Sequence, residues 1–458
     1  MRVGLTRGHR SALAALLVAG VTLAPVAYVI SLVSAQVAER PVRHVIVMIA
    51  DGCGYSQLAS GAYYRHGALG RQVYEQFPVR VAMSTFSADG HGYDPRRAWS
   101  TFAYVKQDPT DSAAAATAMA CGVKTYNAAI GVDVRRQVVP NAWERAEDRG
   151  LATGVVTSVP WSHATPAAFV AHCLSRQSYE RIAADMLTRS RADVIMGAGH
   201  PEFDHDGRPS APDEDAAYRY VGGPGLWRRA QGGALGRDAD SDGIADPWTL
   251  VQTKEEFLRL GTGPTPKRVL GTAQVRETLQ QRREGDGQAE PFAVPPIVTV
   301  PTLADMARGA LNVLDDDPDG FALMVEGGAV DWAGHANQSG RLIEEEIDFS
   351  RAVEAVVEWV EARSSWDETL LIVTGDHETG YLTGPGADPK FVPVRNNGQG
   401  KLPGMAWNYT SHTNQLIPLF AKGAGAERLA ARATRTDPLR GRYLDNTDLA
   451  AVVFELLR

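Results

Sequence analysis

Short, near-continuously apolar runs recur along the 458-residue chain at His44–Ala50, Gly154–Ser158, Asp193–Met196, Phe321–Val325, Thr369–Thr374 and Leu416–Ala421. They are rich in β-branched residues and alternate with stretches of helical period, which predicts an α/β fold. Strands without an exposed polar face must be covered on both sides, so the expected architecture is a three-layer α/β/α sandwich around a large, mostly parallel sheet. Between two of the runs, Ile343, Ile347, Ser350, Val353, Val357 and Val360 recur every three or four residues. That spacing predicts an amphipathic helix with one buried stripe and with Glu344, Glu345, Glu354 and Glu358 facing out.

Several runs end in chemistry. His44–Ala50 ends in Asp51-Gly52, Phe321–Val325 in Glu326-Gly327-Gly328, and Thr369–Thr374 in Gly375-Asp376-His377. Each alone reads as a turn. Together they gain meaning, because ligands of open α/β sheets lie beyond the carboxyl ends of the strands. Asp331 and His335, four apart, share a face of one helical turn and could chelate a single ion. Adjacent Asp376 and His377 could serve two nearby ions, and His412 could complete a set of two histidines and one carboxylate. Carboxylate and imidazole ligands without thiolate suit catalytic zinc.

The run from Gln107 to Asn127 places one hydroxyl, Ser112, where a turn gives way to an alanine-rich helix. A helix start offers unpaired N–H groups and partial positive charge, which favour an anion such as phosphate. The other reading is a capped core helix, with Asp108 to Asp111 supplying the cap. Ion ligands elsewhere in the chain favour the first. Hydrolysis of a phosphate monoester dianion is extremely slow without catalysis. Two cations about 4 Å apart can clamp the attacking and leaving oxygens of an in-line displacement, while an arginine fork holds the remaining phosphoryl oxygens.

The balance of 46 basic against 54 acidic residues disfavours a polyanion-binding protein, so no specific nucleic-acid partner is expected. Cys53, Cys121 and Cys173 are too few and too scattered for a disulfide framework or a zinc knuckle. Arg2, Arg7 and Arg10 precede a charge-free stretch from Ser11 to Val37, with Val33-Ser34-Ala35 resembling a cleavage site. Residues 1–37 therefore read as an export signal or, if uncleaved, a membrane anchor. Either way residues 43–458 are expected outside the cytoplasm, in the periplasm or the medium. From about 205 to 296 the chain is rich in glycine, proline and charge, and reads as an irregular insertion decorating the sheet. Within it, Asp238 to Asp246 resembles the front half of a calcium loop, with Thr249 where the closing glutamate belongs; a solvated acidic turn is the alternative.

The motifs Ile-Ala-Asp-Gly at Asp51, Thr-Asp-Ser-Ala-Ala-Ala-Ala-Thr-Ala at Ser112, Gly-Val-Lys-Thr-Tyr-Asn after it, and Ala-Thr-Pro-Ala at 164–167 occur in that order. Val-Glu-Gly-Gly-Ala-Val-Asp at 325–331, Asp-His-Glu-Thr at 376–379 and Ser-His-Thr at 411–413 follow. Their order and composition resemble the alkaline phosphatases, from about Val45 to the C-terminus. The resemblance implies that Ser112 is a nucleophile forming a phosphoseryl intermediate. It implies that Asp331, His335 and His412 hold a first zinc, and that Asp51, Asp376 and His377 hold a second, which also activates Ser112. Asp51, Thr165 and Glu326 correspond to the set for a third ion, usually magnesium. Arg176 falls where the family places its phosphate-gripping arginine, although by itself it reads as a solvated helix arginine.

The resemblance also implies phosphate-monoester substrates and a homodimer. Two positions sit where the family varies. His163 precedes the Ala-Thr-Pro motif where some members carry aspartate, and could draw zinc to the third site or bind its water. Trp332 follows Asp331 where others carry lysine or histidine, and brings no cation to the phosphate. A sulfatase would need a Cys/Ser-x-Pro-x-Arg motif, which none of the three cysteines begins. A diesterase more often uses a threonine nucleophile, and a catalytically silent calcium-stabilised surface protein would have lost ligands or nucleophile.

Overall fold

The computed structural model describes residues 42–458 apart from 213, 214, 241, 388 and 389; the N-terminal export or anchor segment lies outside the described residues. The main sheet has eleven strands. In chain order they are β1 (His44–Ala50), β2 (Val79–Ser84), β3 (Ala152–Pro160), β4 (Val194–Ala198), β5 (Thr249–Val251), β6 (Val269–Thr272), β7 (Phe321–Gly327), β8 (Thr369–Gly375), β9 (Ile417–Gly423), β10 (Arg435–Asp437) and β11 (Gly441–Asp445). They lie side by side in the order β10-β11-β2-β9-β8-β1-β7-β3-β4-β6-β5. From β8 to β5 every pairing is parallel. The last predicted run, β9, enters antiparallel to β8.

Successive side chains of β1 alternate between two cores, as a strand buried on both faces requires. Val45, Val47 and Ile49 pack on one side with Ala113, Ala116 and Met119 of the helix Ser112–Cys121. Ile46 and Met48 pack on the other with residues of the helices Leu303–Leu314 and Ser339–Arg363. The sheet thus has helices on both faces, the expected three-layer arrangement. Burying one leucine- or isoleucine-sized side chain contributes roughly 1.5–3 kcal/mol. The central strands are buried on both faces, and the site hangs from their ends.

The helix Ser339–Arg363 buries the stripe from Ile343 to Val360 as its spacing predicts, but Glu344 and Glu345 do not face solvent. Residues 273–302, which hold no helix or strand, cover that face. From this cover Arg283 pairs with Glu344 at 2.7 Å and the Phe292 N–H donates to it at 2.7 Å. Long-range pairing, invisible to periodicity, makes burial of this carboxylate tolerable. Residues 205–296 are also not decoration alone, because β5 and β6 extend the parallel sheet at its edge. The three cysteines are buried and free. Among the described residues no helix is long and apolar enough to cross a membrane.

Candidate active site

Register delivers the acids to one place. Ala50 lies opposite Gly375 of β8 and Gly327 of β7, so the residues that follow β1 and β8 emerge side by side. Glu326 lies opposite Ile49 on one side and Thr157 of β3 on the other. The turn after β1 needs glycine. Gly52 has φ +74°, and a Cβ there would come within 2.8 Å of the Asp331 Cα. Its N–H donates to Asp376 Oδ1 at 2.9 Å, fixing that carboxylate.

Two groups of potential ligand atoms result, each with all atoms within 4.8 Å of one another: Asp51, Asp376 and His377, and Asp331, His377 and His412. His335 joins the second group, its Nε2 3.0 Å from His412 Nε2 and 3.4 Å from Asp331 Oδ2. Each imidazole is aimed by its other nitrogen. His335 Nδ1 meets the Thr410 carbonyl at 2.7 Å, and His412 Nδ1 the Thr110 carbonyl at 2.8 Å. With Nδ1–H donating, both Nε2 lone pairs point at the same space, which neutral rings tolerate only around a cation or a shared proton. Short strands at Glu378–Thr379 and His412–Thr413 tie the two loops together.

The electrostatics agree. Burial, reinforced by Asp376, Asp331 and Glu326, pushes the Asp51 carboxyl well up. Burial also raises Asp376 to about 6 and Glu326 to about 7. Asp331 is the exception: burial opposes its charge, but His335 and His412 outweigh it and hold it well below the usual carboxylate range. Burial, then His412, drives His377 well down, so that ring is neutral. Asp51 Oδ1, Asp376 Oδ2, Glu326 Oε1 and Thr165 Oγ1 are buried and make no hydrogen bond. Oxygen-rich pockets with unpaired buried acids are costly unless a cation neutralises them. The donor set fits divalent metal ions.

Ser112 is the first residue of its helix and is buried beside this cluster, its Oγ 3.2 Å from His377 Nε2. The helix is capped by Asp111, which does more than cap it. Its Oδ1 accepts from the Ala114 and Ala128 N–H groups at 3.0 Å each, and its Oδ2 receives Arg176 Nη1 at 3.1 Å. Arg176 is therefore no solvated helix residue. It lies in the loop between the helices Ala164–Val170 and Tyr179–Thr188, largely buried, with its N–H on the Ala128 carbonyl at 2.8 Å.

His163 is buried, its pKa lowered to about 3 by burial and then by Arg176. Its ring stacks on Tyr179 and tilts against Trp332. Trp332 lines an open cleft of 670 Å³ together with Asp331, His335, His163 and Arg176. Thr379 was missed. Its hydroxyl donates to Asp331 Oδ1 at 2.5 Å and lies 3.3 Å from His377 Nδ1, linking the two ligand groups. Its place in Asp-His-Glu-Thr was the available signal. The acidic loop, by contrast, already holds a cation: Lys267 Nζ lies 2.6 Å from Asp240 and 2.7 Å from Asp246.

An alkaline phosphatase family model matches residues 42–419. The chain belongs to the alkaline phosphatase family. That membership places it among the phosphatases, a class of hydrolases. It is 31% identical to alkaline phosphatase 3 of Bacillus subtilis over 75% of this chain and 62% of that protein. It is 30% identical to alkaline phosphatase H of Pseudomonas aeruginosa, covering 88% and 84% of the two chains. Among solved structures, the alkaline phosphatase of the Antarctic bacterium TAB5 superposes with a TM-score of 0.60 at 26% identity, over 91% of this chain and 99% of that one. The cold-active enzyme of a Shewanella species gives 0.62 at 26% identity, over 91% and 100%.

Proposed function

We propose that this phosphatase hydrolyses phosphate monoesters through a covalent phosphoserine at Ser112. The observation that carries the reading is the sharing of His377 by two ligand groups directly beside Ser112 Oγ. A serine–histidine general-base pair would need Nε2 free to take one proton. Here Asp51 Oδ1 and Asp376 Oδ2 also approach that nitrogen, at 3.5 and 3.1 Å, which suits a bound ion at their common focus.

Asp331, His335 and His412 would hold one zinc, Asp51, Asp376 and His377 the other, and Asp51, Thr165 and Glu326 a magnesium. When bound, such ions lower the pKa of a serine hydroxyl and neutralise charge on the departing alkoxide. The chain's own groups do the rest. Arg176, aligned by Asp111, presents its fork to two phosphoryl oxygens. Ser112 Oγ forms the bond to phosphorus as the ester oxygen leaves with the alcohol; water then cleaves the Ser112 ester to inorganic phosphate. Thr379 keeps Asp331 and His377 in register. Magnesium at the third position is supported by the family resemblance and by the all-oxygen donors Asp51, Thr165 and Glu326, each with a buried oxygen that lacks a hydrogen-bond partner. The apolar stretch from Ser11 to Val37 supports export to the periplasm or medium, and the family resemblance supports a homodimer.

The test is hydrolysis of p-nitrophenyl phosphate against its bis-ester, before and after chelation and zinc-plus-magnesium restoration. The monoester should be strongly preferred, activity should vanish and return with the ions, and acid-quenched enzyme should carry phosphate on Ser112. Ser112→Ala with an undiminished rate would sink the covalent route.

A further inference from the structure

The cleft beside Ser112's metal-ligand cluster is lined by four guanidinium groups, Arg176, Arg282, Arg283 and Arg341. The acids facing them are fewer. Asp111 takes Arg176. Glu344 serves both Arg283 at 2.7 Å and Arg341 at 3.5 Å. Glu277 serves both Arg282 at 3.3 Å and Arg219 at 3.1 Å. Asp331, the one acid among the lining residues, faces the imidazoles. Around Glu277 and Glu344 four guanidinium groups share two acids, so positive charge is in excess in this concave space, which focuses the field on whatever enters.

Two of these groups are prepared to bind. The Arg341 side chain is only 3% exposed, and its Nη1, although 3.5 Å from a Glu344 oxygen that Arg283 holds more closely, donates no hydrogen bond. Arg282 is half exposed and lies over the Trp332 ring, its Cζ 5.0 Å from the centroid. That stacking fixes the guanidinium plane. Its Nε faces Glu277, while its Nη groups donate no hydrogen bond among the described residues. A fork with open donors matches carboxylate or phosphate geometry, which an uncharged group cannot exploit.

We propose that this cleft is a second anion subsite, so that the enzyme prefers phosphate monoesters whose alcohol carries another carboxylate or phosphate, read by Arg282 and Arg341. With the scissile phosphoryl group on Arg176, the alcohol extends along the cleft toward Trp332 and Arg282. The inference rests on the phosphomonoesterase reading above and names its substrate class.

The experiment compares kcat/KM of the zinc- and magnesium-loaded enzyme on pentyl phosphate and on its ω-carboxylate, ω-phosphate and ω-ammonium derivatives at low ionic strength. One or both ω-anionic substrates should exceed pentyl phosphate by about tenfold, the ammonium compound should fall below it, and salt should erase the spread. Arg282→Gln should remove most of the preference while changing pentyl phosphate by less than about twofold, and Arg282→Lys should restore part of it. The carboxylate and phosphate arms show which anion is read. An enzyme that hydrolyses pentyl phosphate with no anion preference, or in which Arg282→Gln lowers all four substrates equally, overturns the subsite alone. Failure to hydrolyse pentyl phosphate at all overturns the phosphomonoesterase reading and the subsite together.

Discussion

Asp111 joins three tasks, and replacing it with asparagine separates them. Its Oδ1 satisfies two backbone N–H groups, of Ala114 and Ala128, while Oδ2 takes Arg176. In Asp111→Asn the amide oxygen must stay with the two backbone donors, because turning it would set both against an NH2 group. The amide nitrogen then faces Arg176, donor against donor. Asparagine caps helices about as well as aspartate, so the cap itself should lose no more than about 1 kcal/mol, mostly from lost charge at the helix start, and any larger fall in stability comes from the contact with Arg176. The contact with Arg176 is different. A hydrogen bond between charged groups that are less than a fifth exposed contributes about 1.5–3 kcal/mol. If half of that is spent orienting Arg176, phosphate binding should weaken by about three- to tenfold, since ~1.4 kcal/mol is one decade.

The assay is competitive inhibition by inorganic phosphate during p-nitrophenyl phosphate hydrolysis, paired with urea unfolding. Asp111→Ala is the contrast. It strands the two N–H groups as well as the arginine and should cost about 2–5 kcal/mol of stability. An inhibition constant in Asp111→Asn equal to wild type, while Arg176→Ala raises it, would refute the idea that Asp111 positions Arg176.

Two further outcomes are expected. Trp332→Lys places a cation beside the proposed phosphate site in place of an indole, so phosphate inhibition should tighten by several-fold, roughly 1 kcal/mol; no tightening would discard the view that the missing cation at this position weakens phosphate retention. His172 joins the helix Ala142–Glu147 to its neighbours, Nε2 2.9 Å from Glu144 and Nδ1 2.8 Å from the Gly131 carbonyl. Burial opposes its protonation, but the Glu144 carboxylate and that carbonyl prevail and raise its pKa above 6.5. A folded value above the unfolded one stabilises fully below 6.5, and the gain is lost as pH rises through the folded value. His172→Gln should therefore cost chelated protein more stability at about pH 6 than at about pH 9; equal losses in urea unfolding would count against the pairing.

Much of this protein can be read along the chain. A strand buried on both faces must be apolar at every position, so β1, β7 and β8 announce themselves, and their acidic ends follow directly. Ser112 and the candidate ligands Asp51, Asp331, His335, Asp376, His377 and His412 stand in motifs whose spacing is local, and the fold gathers them. The sequence could not decide pairings between groups distant along the chain. By itself Arg176 reads as a solvated residue, and only the fold brings it to Asp111, 65 positions earlier. Glu344 looked exposed because periodicity knows nothing of the loop that brings Arg283 over it. Lys267 entering the acidic loop, and Arg282 stacking on Trp332, are likewise products of tertiary placement. Local order is encoded by a period that any window of residues reveals, whereas charge compensation depends on which distant side chain folding carries to the spot.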